Sequence, residues 1–442
     1  MGSLWPRGGL WRHGDFLKLW TGETISQFGS HVTALAFPLV AILVLEASAF
    51  QVALLGVIEM APFILLSLPA GVWVDRLRRR PILITSDVAR ALLLLTVPLA
   101  YALDALSISQ LYAVGFLFGV ATVFFDVSYQ SYLPSLVPRD RLVEGNSKLE
   151  ISRSGAQLTG PGLAGALIEA LTAPVAVFVD AVSFLASAGF LLRIRRAERA
   201  PERSEATAKP SMRSELREGL AYVLGHRHLR WIAASTATFN LFGSVMFAIF
   251  LVFAVRELGL RPGVIGLVFA VGNVGALAGA VLANRIAARI GVGPTIVIGA
   301  AFGGGSLLYA LAPASSPIPF LIAAQVLVSF GIPVYNITQV SFRQAITPER
   351  LQGRMNSVMR FIVWGVMPLG SLAGGALATA AGLRTAIWVG AAGTSLAFLP
   401  VLLSSVRSLR AMPEPYAEPL PSEGSAEGGM LGPTQLPAAD EG

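Results

Sequence analysis

The 442-residue sequence contains no cysteine, which excludes disulfide bonds, thiolate metal sites and cysteine nucleophiles. Charged residues are also scarce, at 13% of the chain against about 25% in typical soluble domains. The four histidines lack zinc-site spacing with carboxylates, so we expect neither a metal site nor a cofactor. The chain therefore has too little polar surface to fold as a globule in water.

Apolar residues make up 54% of the chain and gather in long continuous runs. A helix needs roughly 20 apolar residues to cross about 30 Å of hydrocarbon. Because the runs are continuous rather than alternating, they predict helices, and we expect twelve. The predicted spans cover about 18–45, 51–74, 81–103, 109–133, 148–170, 173–193, 231–255, 262–284, two within 289–343, 361–383 and 385–406.

Lysine and arginine are distributed unevenly among the connecting segments. The segments on the side of the N-terminus carry nearly all of them, whereas the opposite loops carry only Arg256, Arg261 and Arg384. The positive-inside rule then predicts a multi-pass protein of the inner (plasma) membrane with both termini cytoplasmic. This asymmetry accounts for the formal net charge of +7 without a nucleic-acid partner. The first apolar run shows no cleavage site, so we interpret it as a retained span.

Polar segments divide the chain into four predicted regions. A helical pattern with leucines on one side, from Glu215 to Arg230, predicts an amphipathic helix lying on the membrane. The proline-rich, acidic tail should be disordered. The regions are an N-terminal six-helix half (1–195), a cytoplasmic linker with the amphipathic helix (196–230), a C-terminal six-helix half (231–406) and a disordered cytoplasmic tail (407–442).

The two halves resemble each other at an offset of about 210 residues. Asn146-Ser147 falls on Asn356-Ser357, and Gly165-Ala166-Leu167 falls on Gly375-Ala376-Leu377. Repeats with an even number of helices are parallel and related by an axis along the membrane normal. Transporters of that type bind substrate between their halves and rock around it.

The segment Gly71-Val-Trp-Val-Asp75-Arg76-Leu-Arg78-Arg79-Arg80 follows the second predicted span. It resembles the signature of the major facilitator superfamily at that place. Other motifs are similar to the branch of drug and siderophore exporters that includes the enterobactin exporter; they are Asp87-x-x-Arg90, Phe125-Asp126, Asn146, Gly155 to Gly165 and Val179-Asp180. The resemblance implies an all-α fold of two pseudo-symmetric six-helix bundles. One departure is that residues 109–133 lack the Arg that many proton-coupled relatives carry in the fourth span.

The signature segment has a physical interpretation as a conformational switch. Asp75 would accept hydrogen bonds at a helix N-terminus of the other half, and the arginines would pair with carboxylates or lipid phosphates. Alternatively, the arginines only set the membrane topology. The predicted switch residues are Gly71, Asp75, Arg76, Arg79, Asn284 and Arg285.

The fifth predicted span has a glycine-rich face. Gly155, Gly160, Gly162 and Gly165 let another helix approach closely, and Pro161 removes a backbone hydrogen bond. Close helix packing is the direct expectation. A role in setting export follows from the resemblance alone.

Ionisable residues inside predicted spans are costly and often functional. Acidic ones occur only in the first half; with their ionisable neighbours, the candidates for proton coupling or substrate contact are Glu23, Glu59, Asp87, Arg90, Asp126, Asp180 and His31. Asp87 and Arg90 stand three residues apart, so they can pair on one helix face. Glu59 has no basic residue in its span, which makes it the leading candidate for proton uptake and release. Each residue also has an ordinary structural explanation.

Together these patterns predict a secondary active exporter of a small amphipathic molecule, drug-like or siderophore-like, that works by alternating access with proton antiport. Its partners would be the substrate, protons and membrane lipids, and we expect a monomer. An importer or facilitator of the same fold is an alternative, as is a membrane-embedded sensor or enzyme. No nucleotide-binding G-x-x-x-x-G-K-[ST] loop and no nucleophile–base pair stand out, so we do not expect an enzyme.

Overall fold

The computed structural model describes residues 9–74, 76–196, 198 and 212–411, and these are almost entirely helical. The first six helices are α1 (Gly14–Leu43), α2 (Ala49–Val74), α3 (Arg79–Ala102), α4 (Ile108–Leu136), α5 (Leu142–Leu171) and α6 (Ala173–Leu192). A shorter helix, α7 (Met212–Gly225), precedes the helices of the second half. These are α8 (Leu229–Arg256), α9 (Pro262–Ile290), α10 (Val292–Ala301), α11 (Leu307–Leu311), α12 (Pro317–Ile346), α13 (Glu349–Ala381), α14 (Leu383–Ser395) and α15 (Leu399–Leu402).

Eleven helical segments of the described chain are long and apolar enough to cross a membrane. Two of them are composite, because α10 continues through a 3₁₀ turn into α11, and α14 is followed by α15. The twelfth long helix is α5, which is less apolar because its first turns carry Glu144, Lys148, Glu150 and Arg153. It nevertheless packs between α1 and α9 within the bundle. The predicted all-α membrane fold is confirmed.

Several helices extend beyond the apolar runs that predicted them. Helix α5 begins at Leu142 and α13 at Glu349, well before their apolar stretches. Backbone hydrogen bonding continues a helix into water, where polar side chains are tolerated, so hydropathy alone misses these turns. At their other ends, α5 and α13 stop at Thr172 (φ 79°) and Gly382 (φ 90°), each followed at once by the next helix. This pair of left-handed turns occupies equivalent positions in the two repeats.

The alternating helices give the molecule two ends. We call one the basic end; it holds the start of α1 and the connections after α2, α4, α6, α9 and α12. The far end holds the connections after α1, α3, α5, α8, α11 and α13.

The buried apolar side chains form three clusters that reveal how the halves meet. At the far end one cluster is shared, since it contains Phe37 of the first half and Phe253 of the second. At the basic end each half has its own cluster, one around Phe16 and one around Phe342. The halves are thus packed together at the far end and separate at the basic end.

Helix α7 is docked on the second half. Gly219 lies against the backbone of Arg354, Val223 is fully buried, and the Tyr222 hydroxyl donates to the Ile346 carbonyl oxygen at 3.2 Å. The leucines 220 and 224 remain exposed on the other side. The predicted bounds Glu215–Arg230 are therefore wrong: the helix covers Met212–Gly225, and a turn separates it from α8. Its placement on the membrane stays a prediction. The predicted tail lies outside the described residues beyond position 411, and the four-region division stays a prediction.

Candidate functional site

Helices α5 and α9 make a glycine contact between the halves at the far end. A side-chain carbon at Gly165 would lie 2.6 Å from the Pro262 carbonyl oxygen and 2.9 Å from the Cα atom of Gly266. Gly162 faces the Ala270 methyl group, and the Pro161 carbonyl oxygen occupies the space beside Gly266. Within the same motif, Gly155 differs, because a side-chain carbon there would meet no atom within 4 Å.

Polar groups strengthen this far-end contact. The Glu169 carboxylate accepts a hydrogen bond from the Gly263 backbone N–H at 3.0 Å, at the start of α9. Arg256 donates to the Ala47 carbonyl oxygen at 2.8 Å, and the Asn273 amide donates to the Gln157 carbonyl oxygen. Sequence reasoning did not single out Glu169 or Arg256 as a link between halves. Glu169 nevertheless had a recognisable signal. The first N–H groups of a helix have no partner within that helix, and an acidic side chain is a favourable acceptor for those of α9.

A cavity of about 760 Å³ opens toward the basic end beside the first half. Helix α1 contributes Glu23 and Gln27, whose amide donates to the Glu23 carboxylate at 2.7 Å. Tyr129 of α4 forms an aromatic wall and stacks on Phe125 with ring centroids 5.9 Å apart. The first turns of α5 complete the lining with Asn146, Ser147, Leu149, Glu150, Ile151, Ser152, Arg153 and Ser154. The cavity thus combines one half-buried carboxylate with polar and aromatic walls.

A buried ionic cluster lies between α1, α3, α4 and α6. The Arg90 guanidinium hydrogen-bonds to Asp87 and lies between two rings, 4.1 Å from the centroid of Phe125 and 4.2 Å from that of Phe184. Asp180 is fully buried and accepts from the Ser183 hydroxyl at 2.8 Å. The predicted Asp87–Arg90 pair is present, and the aromatic clamp around it is a feature that the sequence did not reveal.

This cluster contains polar atoms without partners. One carboxylate oxygen of Asp87, one of Asp180 and the Nε atom of Arg90 are buried without a hydrogen bond of good geometry among the described residues, although the hydroxyls of Ser187 and Thr33 lie near the two carboxyl groups. Arg90 also lies close enough to interact electrostatically with Glu23 and with Asp126, whose side chain is exposed on α4. The Arg90 guanidinium is therefore the shared positive charge for four carboxyl groups. The carboxylate oxygens without hydrogen bonds can accept a proton.

Small residues of α1 make room for the cluster. A side chain at Gly29 would collide with Asp180 and Ser183, so only glycine fits there. At Gly22 the packing is also tight, because a side-chain carbon there would lie 3.3 Å from the Cα atom of Ser187 of α6. Neither glycine was singled out by the sequence, although their spacing along α1 was a visible signal.

Two candidates lie apart from the cluster. Glu59 is half-buried and packs against Gly115 of α4. A side-chain carbon added at Gly115 would lie 3.0 Å from the Glu59 side chain. Among the described residues it has neither a hydrogen bond nor an ion pair. His31 packs over Gly160 of α5, and a side-chain carbon added at Gly160 would lie 2.7 Å from atoms of the His31 ring. The structure therefore divides the candidates into one group around Arg90 and two separate side chains.

The predicted switch residues lie at the basic end, except that Asp75 falls outside the described residues. The backbone N–H groups of Arg79 and Arg80 donate to the Glu198 carboxylate at 2.9 and 3.1 Å, which caps α3. Arg76, Asn284 and Arg285 are exposed, and Gly71 has no neighbour within 4 Å of its side-chain position. Among the described residues these groups make no contact between halves, as expected where the halves are separate.

Comparison with known proteins agrees with this architecture. Residues 9–425 match a family model of the major facilitator superfamily described as "Transmembrane secretion effector". The chain belongs to this family. It is therefore a multi-pass membrane transporter of the major facilitator fold and not an enzyme.

Named relatives are moderately similar over nearly the whole chain. The "Multidrug efflux pump Tap" of Mycolicibacterium fortuitum is 27% identical over 89% of this chain and 95% of its own length. The protein of the same name from Mycobacterium tuberculosis (strain ATCC 25618 / H37Rv) is 28% identical over 80% of this chain and 85% of its own. A solved bacterial homologue of the iron transporter ferroportin, in its inward-facing state, superposes with a TM-score of 0.71 at 19% identity. That match covers 90% of this chain and 99% of the other, and at this identity it supports the fold alone.

Proposed function

We propose that this transporter exports small amphipathic molecules, drug-like or siderophore-like, across the plasma membrane by alternating access. One observation carries the proposal: the halves share a core at the far end and have separate cores at the basic end, where a cavity of about 760 Å³ opens beside α1, α4 and α5 of the first half. The names of the Tap relatives support export of drugs. The excess of arginine and lysine at the basic end supports a cytoplasmic orientation for that end and for both termini.

The cavity is the proposed substrate site. Its walls offer a carboxylate at Glu23, an amide at Gln27 and the ring of Tyr129, with apolar side chains beside them. A carboxylate and an aromatic face together favour a molecule that carries both a positive charge and an apolar body. The substrate would enter from the cytoplasm or the inner leaflet and leave when the far end opens.

Proton antiport is the proposed driving force. The Arg90 cluster holds buried carboxylate oxygens without hydrogen bonds, and it borders the cavity through Glu23. Binding of a positively charged substrate at Glu23 would favour loss of a proton from this group of carboxyls. Glu59 and His31 are the alternative coupling residues, each isolated from the cluster. We further propose that Gly71, Asp75, Arg76, Arg79, Asn284 and Arg285 meet when the basic end closes.

Transport into inverted membrane vesicles tests this function, with ethidium as the probe. An exporter accumulates ethidium inside the vesicles when their lumen is acidified, and the Glu23→Gln variant should accumulate much less. Glu150→Gln is the matched control, because Glu150 lies at the exposed rim of the same cavity. Ethidium is one probe among several, so a panel of antibiotics is assayed alongside it. Accumulation no greater than in vesicles without the protein, for every compound, would refute the proposal.

A further inference from the structure

A second cavity, of about 500 Å³, lies at the basic end of the second half, away from the transport site. It is bounded by the turn between α7 and α8, by α12 and by the segment after α15. The lining residues are Gly225, His226, Arg227, His228, Phe342, Ile346 and Leu409. Every ionisable residue in this lining is basic, and its remaining wall is apolar.

The basic residues present hydrogen-bond donors to this cavity. The backbone N–H groups of His228 and Leu229 donate to Nδ1 of His226, at 3.2 and 3.4 Å, so the ring proton of His226 belongs on Nε2. Arg227 donates from Nε to the His228 ring at 3.2 Å. Its two terminal nitrogens have no acceptor in the described part of the chain. Two donor groups therefore face the cavity without a carboxylate to receive them.

Burial lowers the pKa of His226 and of His228, and Arg227 lowers both further. The two rings are consequently neutral at neutral pH, and the permanent charge in this lining is that of Arg227. A guanidinium with an adjacent N–H donor matches the oxygens of a phosphate group.

The position of the cavity selects a membrane lipid over a soluble phosphate. It lies one turn before Trp231, whose partly exposed ring is stacked under Arg230 at 5.5 Å, an arrangement typical of the membrane interface. Leu224, which directly precedes the lining residue Gly225, is exposed and offers apolar surface for an acyl chain. We propose that this cavity, at His226–His228, binds the phosphate headgroup of an anionic phospholipid from the leaflet at the basic end.

Such a lipid would join three parts of the second half. The cavity contacts the α7–α8 turn, the end of α12 and the segment at Leu409, whose carbonyl oxygen accepts from the Gly293 N–H at 2.8 Å. Lipid binding at this cavity would not depend on the substrate or on the direction of transport, because it requires only the membrane-spanning fold.

Native mass spectrometry of the purified full chain tests the site. Delipidated protein in detergent is titrated with phosphatidylglycerol, with phosphatidylcholine of the same acyl chains, and with inorganic phosphate. Both lipids carry a phosphate, but the ammonium group of choline offsets its charge, so we expect phosphatidylglycerol to bind at least about tenfold more tightly than phosphatidylcholine. Arg227→Gln should remove this preference, and His226→Asn should reduce it while keeping an acceptor near the start of α8.

Arg230→Gln is the matched control. It removes the same charge three residues further along the chain, outside the cavity lining, and should leave the preference unchanged. Equal binding of the two lipids, or equal losses in Arg227→Gln and Arg230→Gln, would overturn the proposal. Displacement of phosphatidylglycerol by millimolar inorganic phosphate would instead assign the cavity to a free anion and would overturn the lipid assignment.

Discussion

The two halves share one fold but differ in what they bury. Where the first half has Arg90 and Asp180, the equivalent positions of the second half are Gly299 and Gly390. Gly299 packs against Tyr335, and Gly390 packs against Met246. Helices α8 to α15 contain no acidic residue apart from Glu349 at the start of α13. The two halves thus share the same arrangement of helices, whereas the ionic cluster is found in the first half.

Several buried polar groups of the second half are neutral and hydrogen-bonded, although Arg343 of α12 is also buried and its Nε atom has no hydrogen-bond partner among the described residues. Thr236 and Tyr335 share a hydrogen bond of 2.7 Å, and Ser235 donates to the Ala397 carbonyl oxygen at the same distance. Neutral pairs of this kind hold helices together without responding to protons. The difference supports the proposal that proton coupling belongs to the first half, which holds all the buried carboxyl groups of the described spans.

Removing the central cation should have the largest effect on this comparison. Arg90→Met leaves four carboxyl groups without their shared counter-charge, so we expect a loss of about 3 to 5 kcal/mol in the free energy of unfolding. Arg90→Lys keeps the charge but not the planar stacking between Phe125 and Phe184, and should lose less. Thermal unfolding of the purified proteins measures both. A variant Arg90→Met as stable as the parent would show that the cluster is not held by this cation.

Neutralising the buried carboxyls should affect coupling more than stability. We expect Asp87→Asn and Asp180→Asn to reduce proton-driven ethidium accumulation by about tenfold or more, corresponding to about 1.4 kcal/mol, while ethidium binding persists. The isolated Glu59→Gln is the comparison variant. If Glu59→Gln abolishes the dependence on the proton gradient and the two aspartate variants do not, coupling belongs to Glu59.

Filling a glycine contact should shift the balance between the two ends. Gly165→Val places a branched side chain against backbone atoms of α9, and overpacking of this kind costs about 1 to 3 kcal/mol. The far-end contact should therefore weaken and the basic end should close more often. Gly155→Val is the control, because a side chain there meets no atom. Because the chain has no cysteine, engineered cysteine pairs across each end report the change by cross-linking.

The fold could be predicted from the sequence because length and apolarity of a segment decide whether it spans a membrane. The positions of most spans, the internal repeat and the Asp87–Arg90 pair followed from local patterns. The grouping of Asp180 and Glu23 around Arg90 could not be predicted, since it depends on which faces of α1, α3 and α6 turn toward each other. Contacts such as Glu169 with Gly263 depend in addition on how the halves tilt, which sequence spacing does not encode.

The smallest effect we expect concerns the cap that Glu169 provides for α9. Glu169→Ala removes the acceptor for the Gly263 N–H, and the loss of a helix cap costs about 1 kcal/mol. Since the cap joins the two halves, the loss falls on the state in which the far end is closed, and cross-linking across that end should decrease about fivefold at equilibrium. Glu169→Gln retains a carbonyl acceptor and should restore most of the cross-linking. In the equivalent contact between α2 and α13, Gly375 lies against the Ala53 methyl group and the backbone of Phe50 and Ala49, and the Thr379 hydroxyl donates to the Gly375 carbonyl oxygen of its own helix. Thr379→Ala, at the position of α13 equivalent to Glu169, should therefore leave far-end closure unchanged, and an equal decrease in both variants would show that the two interfaces are not distinguished by the cap.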